Sequence, residues 1–146
     1  MTLHSLRGRL VAVAPLRIGL GLGWLAGARV SGAGSASALL AFATGALLLV
    51  ILAVNDPRSR FFATGEAASV PPDAFVARPV RQALRAAVPS TVGVSLLAAL
   101  VVVPYPVLAS FLGGVSAGLG VAGLLAAART DPSLLVDPRT GRVYRS

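Results

Sequence analysis

One uncharged stretch decides the fold class: residues 35–54 read SASALLAFATGALLLVILAV. As a helix, this stretch is about 30 Å long at 1.5 Å per residue, which matches the hydrocarbon thickness of a bilayer. It ends at a polar segment that begins with Asn55, Asp56 and Pro57. The pattern predicts a membrane-spanning helix over 35–54.

A second uncharged region, residues 88–128, is about twice that length, roughly 60 Å as a helix, and therefore predicts two crossings. Pro104, Tyr105 and Pro106 mark the turn between them, since proline removes backbone donors and disfavours continuous helix. We expect helices over 88–104 and 107–128. Because 88–104 is short, a re-entrant or kinked segment is the alternative there.

The weakest candidate span is residues 10–28, which contain Pro15 and Arg17. An arginine near the middle of a bilayer costs about 2.5 kcal/mol or more, although its long side chain can reach back to the interface. The other arginines decide in favour of a crossing. With four spans, Arg29 stands alone on one side, and eleven arginines share the other: Arg7, Arg9, Arg58, Arg60, Arg78, Arg81, Arg85, Arg129, Arg139, Arg142 and Arg145. This asymmetry predicts cytoplasmic N- and C-termini.

The composition agrees with a membrane protein. Hydrophobic residues make up 55% of the 146 residues and charged residues only 12%, with a mean hydropathy of +0.81, whereas soluble domains are about one quarter charged. The net charge of +8 comes from 13 basic residues, all of them arginine. They lie between the apolar runs, which favours an anionic membrane surface over nucleic acid as partner. Arginine without lysine, together with abundant alanine, glycine and proline, indicates a GC-rich bacterial genome.

Two segments outside the spans have patterns of their own. In the predicted cytoplasmic loop, 55–87, a short amphipathic helix begins near Pro79, and its polar face carries Arg78, Arg81 and Arg85. These arginines either contact an anionic lipid or a partner, or only enforce topology. The cytoplasmic tail, 129–146, is predicted to be irregular or to form a small hairpin, which would have to dock to be stable.

Small residues repeat at every fourth position within three of the spans. Such ladders let helix backbones approach closely in lipid, and we expect packing within the chain rather than against a second copy. The predicted packing residues are Gly19, Gly23, Gly27, Ser37, Ala41, Gly45, Gly114, Gly118, Ala122 and Ala126. Gly118, Gly120 and Gly123 also match the dinucleotide pattern GxGxxG, but no strand precedes them, so no nucleotide site is expected.

Chemistry-bearing residues are scarce in the chain. Arg17 is the one ionisable residue inside a predicted span, so it is a candidate functional residue, either for an anion or as a snorkelling boundary residue. No span contains a carboxylate, which argues against proton-coupled antiport. His4 and Glu66 are each the only residue of their type, and there is no cysteine. Neither a catalytic residue, a metal site nor a cofactor is therefore expected.

These observations together predict an all-α integral membrane protein of a bacterial plasma membrane. We expect residues 1–146 to form a single domain, a bundle of four transmembrane helices. The expected partners are the bilayer, with its anionic cytoplasmic leaflet, and a membrane protein or a second copy. We expect a non-enzymatic accessory or assembly subunit. The alternative is a small transporter or channel for an uncharged or anionic solute.

Overall fold

The computed structural model describes residues 2–55, 68–76, 80–137 and 142–145. Within them the chain is mostly helical, with four long helices: α1 (Leu6–Val30), α2 (Ser35–Asn55), α3 (Val80–Val101) and α4 (Pro106–Arg129). Each is long and apolar enough to cross a membrane. The prediction of four such helices is confirmed.

Helix α4 lies at the centre of the bundle and packs against each of the other three helices. Gly114 lies against Phe42 of α2, and Gly118, one turn later, lies against Ala46. Positions on the two helices advance together, so α2 and α4 are parallel. Helix α3 contacts α1 and α4 and makes little contact with α2.

Helix α1 packs antiparallel to α4 on a different face. Gly113 of α4 lies against Gly21, whereas the later Gly120 lies against the earlier Ala14. The chain therefore runs up and down through the bundle. The start of α1 and the end of α4 lie at one end of the molecule, which we call the sheet end because the strands described below gather there.

The connection between α1 and α2 is a tight glycine turn. The amide of Ala33 donates to the Ala28 carbonyl at 3.0 Å, and the amide of Gly32 donates to that of Arg29 at 3.2 Å. Gly32 has a φ of +100°, a backbone conformation that residues with a side chain rarely adopt. This is a Schellman helix end, in which glycine lets the chain reverse while the last carbonyls keep their donors.

The turn between α3 and α4 contains the two prolines that predicted it. The Tyr105 amide donates to the Val101 carbonyl at 2.7 Å and closes α3, and the Leu108 amide donates to the Tyr105 carbonyl at 3.0 Å. Pro106 occupies the first turn of α4, where its missing donor costs no helical hydrogen bond.

Five short strands form a sheet in the order β2-β5-β4-β1-β3. They are β1 (Thr2–Ser5), β2 (Ala68–Ser69), β3 (Phe75–Val76), β4 (Leu134–Val136) and β5 (Val143–Arg145). Strands β4 and β5 pair antiparallel, β1 pairs antiparallel with β4, and the edge strands β2 and β3 pair parallel to β5 and β1. The N-terminus, the loop and the tail thus meet in one sheet.

A small apolar cluster holds the sheet together. Leu3 is 0% exposed and packs with Leu135 and Tyr144, with Val70 and Ala74 against them. Ser5, the last residue of β1, caps α1 by accepting a hydrogen bond from the Gly8 amide at 3.1 Å. One short segment therefore joins the sheet directly to the first helix.

The structure corrects one prediction for the loop and specifies one for the tail. The prediction of a separate amphipathic loop helix is wrong, because α3 is continuous from Val80 to Val101 and passes through Pro89. A proline inside a helix removes one hydrogen bond but need not end the helix when neighbours hold it. At 22 residues, α3 is about 33 Å long. The tail takes the hairpin alternative, docked on β1. Residues 56–67 and 77–79 of the loop lie outside the described residues.

The link between α4 and β4 carries a titratable contact. Asp131 accepts hydrogen bonds from the amide and hydroxyl of Ser133 at 2.9 and 2.7 Å, and its other oxygen lies 3.7 Å from Arg145 Nη2. The hydrogen bond from the Ser133 amide lowers the pKa of Asp131 most, below its ordinary value of 3.8. The hydrogen bond from the Ser133 hydroxyl and the charge of Arg145 lower it further.

A lowered folded-state pKa means that the ionised carboxylate stabilises this turn above the unfolded pKa. The contribution is lost as the pH falls through the folded pKa. We expect the Ser133 amide resonance to titrate with a midpoint below 3.8 in an NMR pH series. In Asp131→Asn this titration should disappear. A midpoint above 3.8 in the unaltered protein would contradict the hydrogen-bonded turn.

Candidate functional site

The predicted packing residues of α4 lie where helices touch. A Cβ atom on Gly114 would overlap the Phe42 carbonyl, and one on Gly118 would lie 2.6 Å from the Ala46 carbonyl oxygen. Gly45 of α2 faces α4 equally closely, at the Phe111 carbonyl. Further along α4, Ala122 is buried and Ala126 is partly buried. The α2–α4 interface is therefore a direct contact between backbones.

The predicted glycine ladder of α1 is on the wrong face. No described atom lies within 4 Å of a Cβ built on Gly19 or Gly23, and Gly27 reaches only Val102 and Trp24, at the edge of contact. Gly21 makes the close contact instead, because a Cβ built on it would lie 2.5 Å from the Gly113 carbonyl oxygen. Helix α1 carries glycines on two faces, and the shape of α4 selects the face that packs.

On α2 the predicted ladder is displaced by one residue at its start. Ser37 is exposed and donates to the Gly34 carbonyl within its own turn, at 3.0 Å. The packing residue is Ala38, which is fully buried, and its carbonyl accepts the Ser110 hydroxyl at 2.6 Å. Ala41 is partly buried. The buried hydroxyl of Ser110 thus links α4 to α2, the role that such groups take between helices in lipid.

Arg17 is held at the junction of three helices. Its Nη2 donates to the Ser90 hydroxyl of α3 at 3.1 Å, and that hydroxyl donates to the Ala87 carbonyl at 3.1 Å. On the other side of the residue, the Arg17 carbonyl accepts the Ser116 hydroxyl of α4 at 3.0 Å. The Nε atom of Arg17 is buried and has no partner in the described structure.

A half-open cleft of about 170 Å³ lies beside Arg17, between α1, α3 and α4. Of the residues that the structure describes, the charged ones that line it are Arg9 and Arg17, both from α1. The remaining lining residues are small or apolar: Leu10, Val13, Ala14, Ala83, Ala87, Leu119 and Gly123. The cleft exists because alanine and glycine occupy positions where larger side chains would fill it.

The predicted contact arginines of the loop divide into three cases. Arg78 lies outside the described residues, and Arg81 belongs to α3, with only its backbone described. Arg85 is exposed on the first turns of α3, opposite the buried Ala83 and Ala87. The charged face of this helix end is therefore opposite the face that packs against the bundle. Contact of these arginines with a lipid or partner stays a prediction.

Sequence reasoning missed three residues of this region: Arg9, Ser90 and Thr91. Arg9 was assigned only to topology, and the pairing of Arg17 with Ser90 depends on α1 and α3 lying side by side, which no local pattern reveals. Thr91 is 8% exposed and its hydroxyl has no partner among the described residues. Polar residues next to Pro89 were the available signal.

Among the described residues, no cluster of three or more His, Cys, Asp or Glu could hold a metal ion. The site is instead a pair of guanidinium groups beside small residues and hydroxyls, which is suited to binding an anion. No protein-family model, curated protein or solved structure matches the chain.

Proposed function

We propose that the chain is a non-enzymatic, multi-pass protein of a bacterial plasma membrane that serves as an accessory or assembly subunit. Its membrane location is supported above all by the distribution of large and small apolar residues. The buried positions of the helices are mostly alanine, glycine and serine. The large apolar side chains face outward, among them Leu39, Leu40, Leu47, Leu48, Ile51, Leu52, Leu96, Leu97 and Leu100.

A soluble protein has the opposite arrangement, because water drives large apolar side chains inward. An apolar surface on this scale is stable when lipid covers it, and small residues at the helix contacts are what packing in lipid favours. The same surface would aggregate in water. This distribution is the single observation that carries the membrane location.

The orientation is supported by the arginines. Arg7, Arg9, Arg85, Arg129 and Arg145 lie at the sheet end, while Arg29 lies at the opposite end. The positive-inside rule then puts the sheet end, and with it both termini, in the cytoplasm.

Cysteine labelling tests this orientation, because the natural chain has no cysteine and each introduced thiol is unique. Ser31 and Ser69 are exposed at opposite ends of the molecule. In intact cells, a membrane-impermeant maleimide should label Ser31→Cys, and it should label Ser69→Cys only after lysis. Labelling of Ser69→Cys in intact cells would reverse the orientation. Release of the chain by alkaline carbonate would exclude membrane integration.

The accessory role is supported by the sheet, which is a folded surface outside the apolar part of the helices. Its edge strand β3 carries Phe75 and Val76, which are 77% and 64% exposed. A short exposed edge with apolar side chains is one of the surfaces on which proteins add a partner strand.

Co-purification in a mild detergent tests the accessory role. We expect a partner to remain with the natural chain and with Val103→Ser, an exposed apolar residue at the opposite end. The double variant Phe75→Ser, Val76→Ser should lose it. A chain that is consistently a solitary monomer would count against this role. A complex containing only a second copy would favour the homo-oligomer.

A small transporter for an anionic or uncharged solute is the second candidate, and the open cleft beside Arg17 favours it. The α1–α4 and α2–α4 contacts join backbone to backbone, so we place the path through this cleft. Flux into vesicles should then be reduced in Arg17→Gln and Arg17→Leu. Equal flux in the variants, or none with the natural chain, would exclude this candidate.

A further inference from the structure

Among the residues that the structure describes, the cleft between α1, α3 and α4 is lined by two positive charges and by no negative one. Arg9 and Arg17 both line it, and none of the four helices contains Asp or Glu. Asp131, a described carboxylate, forms an ion pair with Arg145 at the tail. Two like charges that share a partly desolvated cleft repel one another, and an anion between them removes that cost.

Arg17 also has unused hydrogen-bonding capacity. Guanidinium offers five N–H donors in a fixed fork, of which Nη2 binds the Ser90 hydroxyl while the buried Nε has no described partner. A buried donor without an acceptor costs free energy. Ser90 is itself fixed by its bond to the Ala87 carbonyl, so it holds the Arg17 fork in place.

The position of the cleft suits a phosphate at the membrane boundary. Arg9 lies one turn inside the start of α1 at the sheet end, and Arg17 lies eight residues further along, about 12 Å at helical rise. The Cα–Cβ bonds of a helix tilt towards its N-terminus, so the Arg17 side chain starts out towards Arg9 and the sheet end. Guanidinium groups bind phosphate oxygens in pairs.

We propose that this cleft binds a phosphate group, supplied by the headgroup of an anionic phospholipid or by a free phosphate. Basic pockets between helices at the cytoplasmic boundary bind lipid headgroups in this way. The inference goes beyond the accessory role and rests on the proposed membrane location only for its lipid source. It requires no protein partner.

The experiment uses the full chain, purified in dodecyl maltoside, which contains no phosphate. Binding of phosphatidylglycerol and phosphatidylcholine is measured by native mass spectrometry, and inorganic phosphate is added as a competitor. We expect phosphatidylglycerol to bind at least about tenfold more tightly than phosphatidylcholine. Arg17→Gln and Arg9→Gln should each weaken it about tenfold or more, as loss of a charge-assisted hydrogen bond does.

A third variant tests the cleft without changing a charge. A Cβ atom on Gly123 would meet only the Leu10 carbonyl oxygen, at an ordinary 3.6 Å, so Gly123→Leu should fold while its side chain fills the cleft. Gly123→Leu should weaken the binding of phosphatidylglycerol as strongly as Arg17→Gln does. The matched control is Arg7→Gln, an exposed arginine of the same helix end that does not line the cleft, and it should bind within twofold of the natural chain.

The source of the phosphate follows from the competition. If millimolar inorganic phosphate displaces the lipid from the natural chain, the ligand is a free phosphate; if it does not, the ligand is the lipid headgroup. Both outcomes support the proposal that the cleft binds a phosphate group. Unchanged binding in both Arg17→Gln and Gly123→Leu would overturn the proposal, and so would an equal loss in Arg7→Gln. Binding by a chain that carbonate releases would refute the membrane location alone.

Discussion

Gly114→Ala is expected to destabilise the bundle by about 2–3 kcal/mol, at the upper end of the cost of overpacking. The added Cβ would overlap the Phe42 carbonyl, which is backbone and cannot rotate away. Helices α2 and α4 would have to separate, which also loosens the contact of Gly118 with Ala46. Unfolding by SDS, followed by the fluorescence of Trp24, measures the change.

Trp24 is a suitable probe because it is the only tryptophan and lies against α4 at Gly113. The matched control is Gly19→Ala. No described atom lies within 4 Å of a Cβ at Gly19, and alanine is the better helix former by up to about 1 kcal/mol. This variant should be as stable as the natural chain or slightly more so. Equal destabilisation by both substitutions would contradict the assignment of the packing face.

The contrast between these glycines marks how far the sequence could predict the packing. A small residue at every fourth position indicates that a helix can be approached closely. It does not indicate from which side, because α1 has Gly21 on one face and Gly19 and Gly23 on another. The partner decides this. Helix α4 has small residues on several faces and is surrounded by the other three helices. Its predicted positions Gly114 and Gly118 therefore face a neighbouring helix.

The sheet was beyond sequence reasoning for a different reason. Strands β2 and β3 have two residues each, too short for any alternation of polar and apolar residues to appear. They form because the ends of α1, α3 and α4 bring the N-terminus, the loop and the tail together. The tail hairpin was recognisable from its own pattern, whereas its docking site on β1 was not.

The cleft shows the same limit at the level of chemistry. Arg17 was identifiable, since an ionisable residue inside an apolar run stands out. Its setting was not: Ser90 lies 73 positions away from Arg17 in the chain, and the open space depends on Ala83 and Ala87 of α3 and Gly123 of α4 lining the same cleft. A charged residue is visible in a sequence, but the cavity beside it is a property of the packing.

Leu3→Ala is expected to release the sheet while leaving the helices folded. Leu3 is 0% exposed at the centre of the apolar cluster with Leu135 and Tyr144, and removing a buried leucine side chain costs about 2–5 kcal/mol. A sheet of such short strands has little stability beyond this amount. Trypsin cleavage after Arg142 and Arg145 should therefore become about tenfold faster or more, because local opening exposes these bonds.

The control is Phe75→Ala, which removes an apolar side chain from the same sheet at a position that is 77% exposed. It should leave the rate of cleavage nearly unchanged. Unfolding of the bundle, measured by Trp24 fluorescence, should be close to that of the natural chain in both variants, since Trp24 lies more than half of α1 away from Leu3. An equal loss of bundle stability in Leu3→Ala would mean that the sheet and the helices unfold as one unit. Unchanged cleavage in Leu3→Ala would mean that this cluster does not hold the sheet.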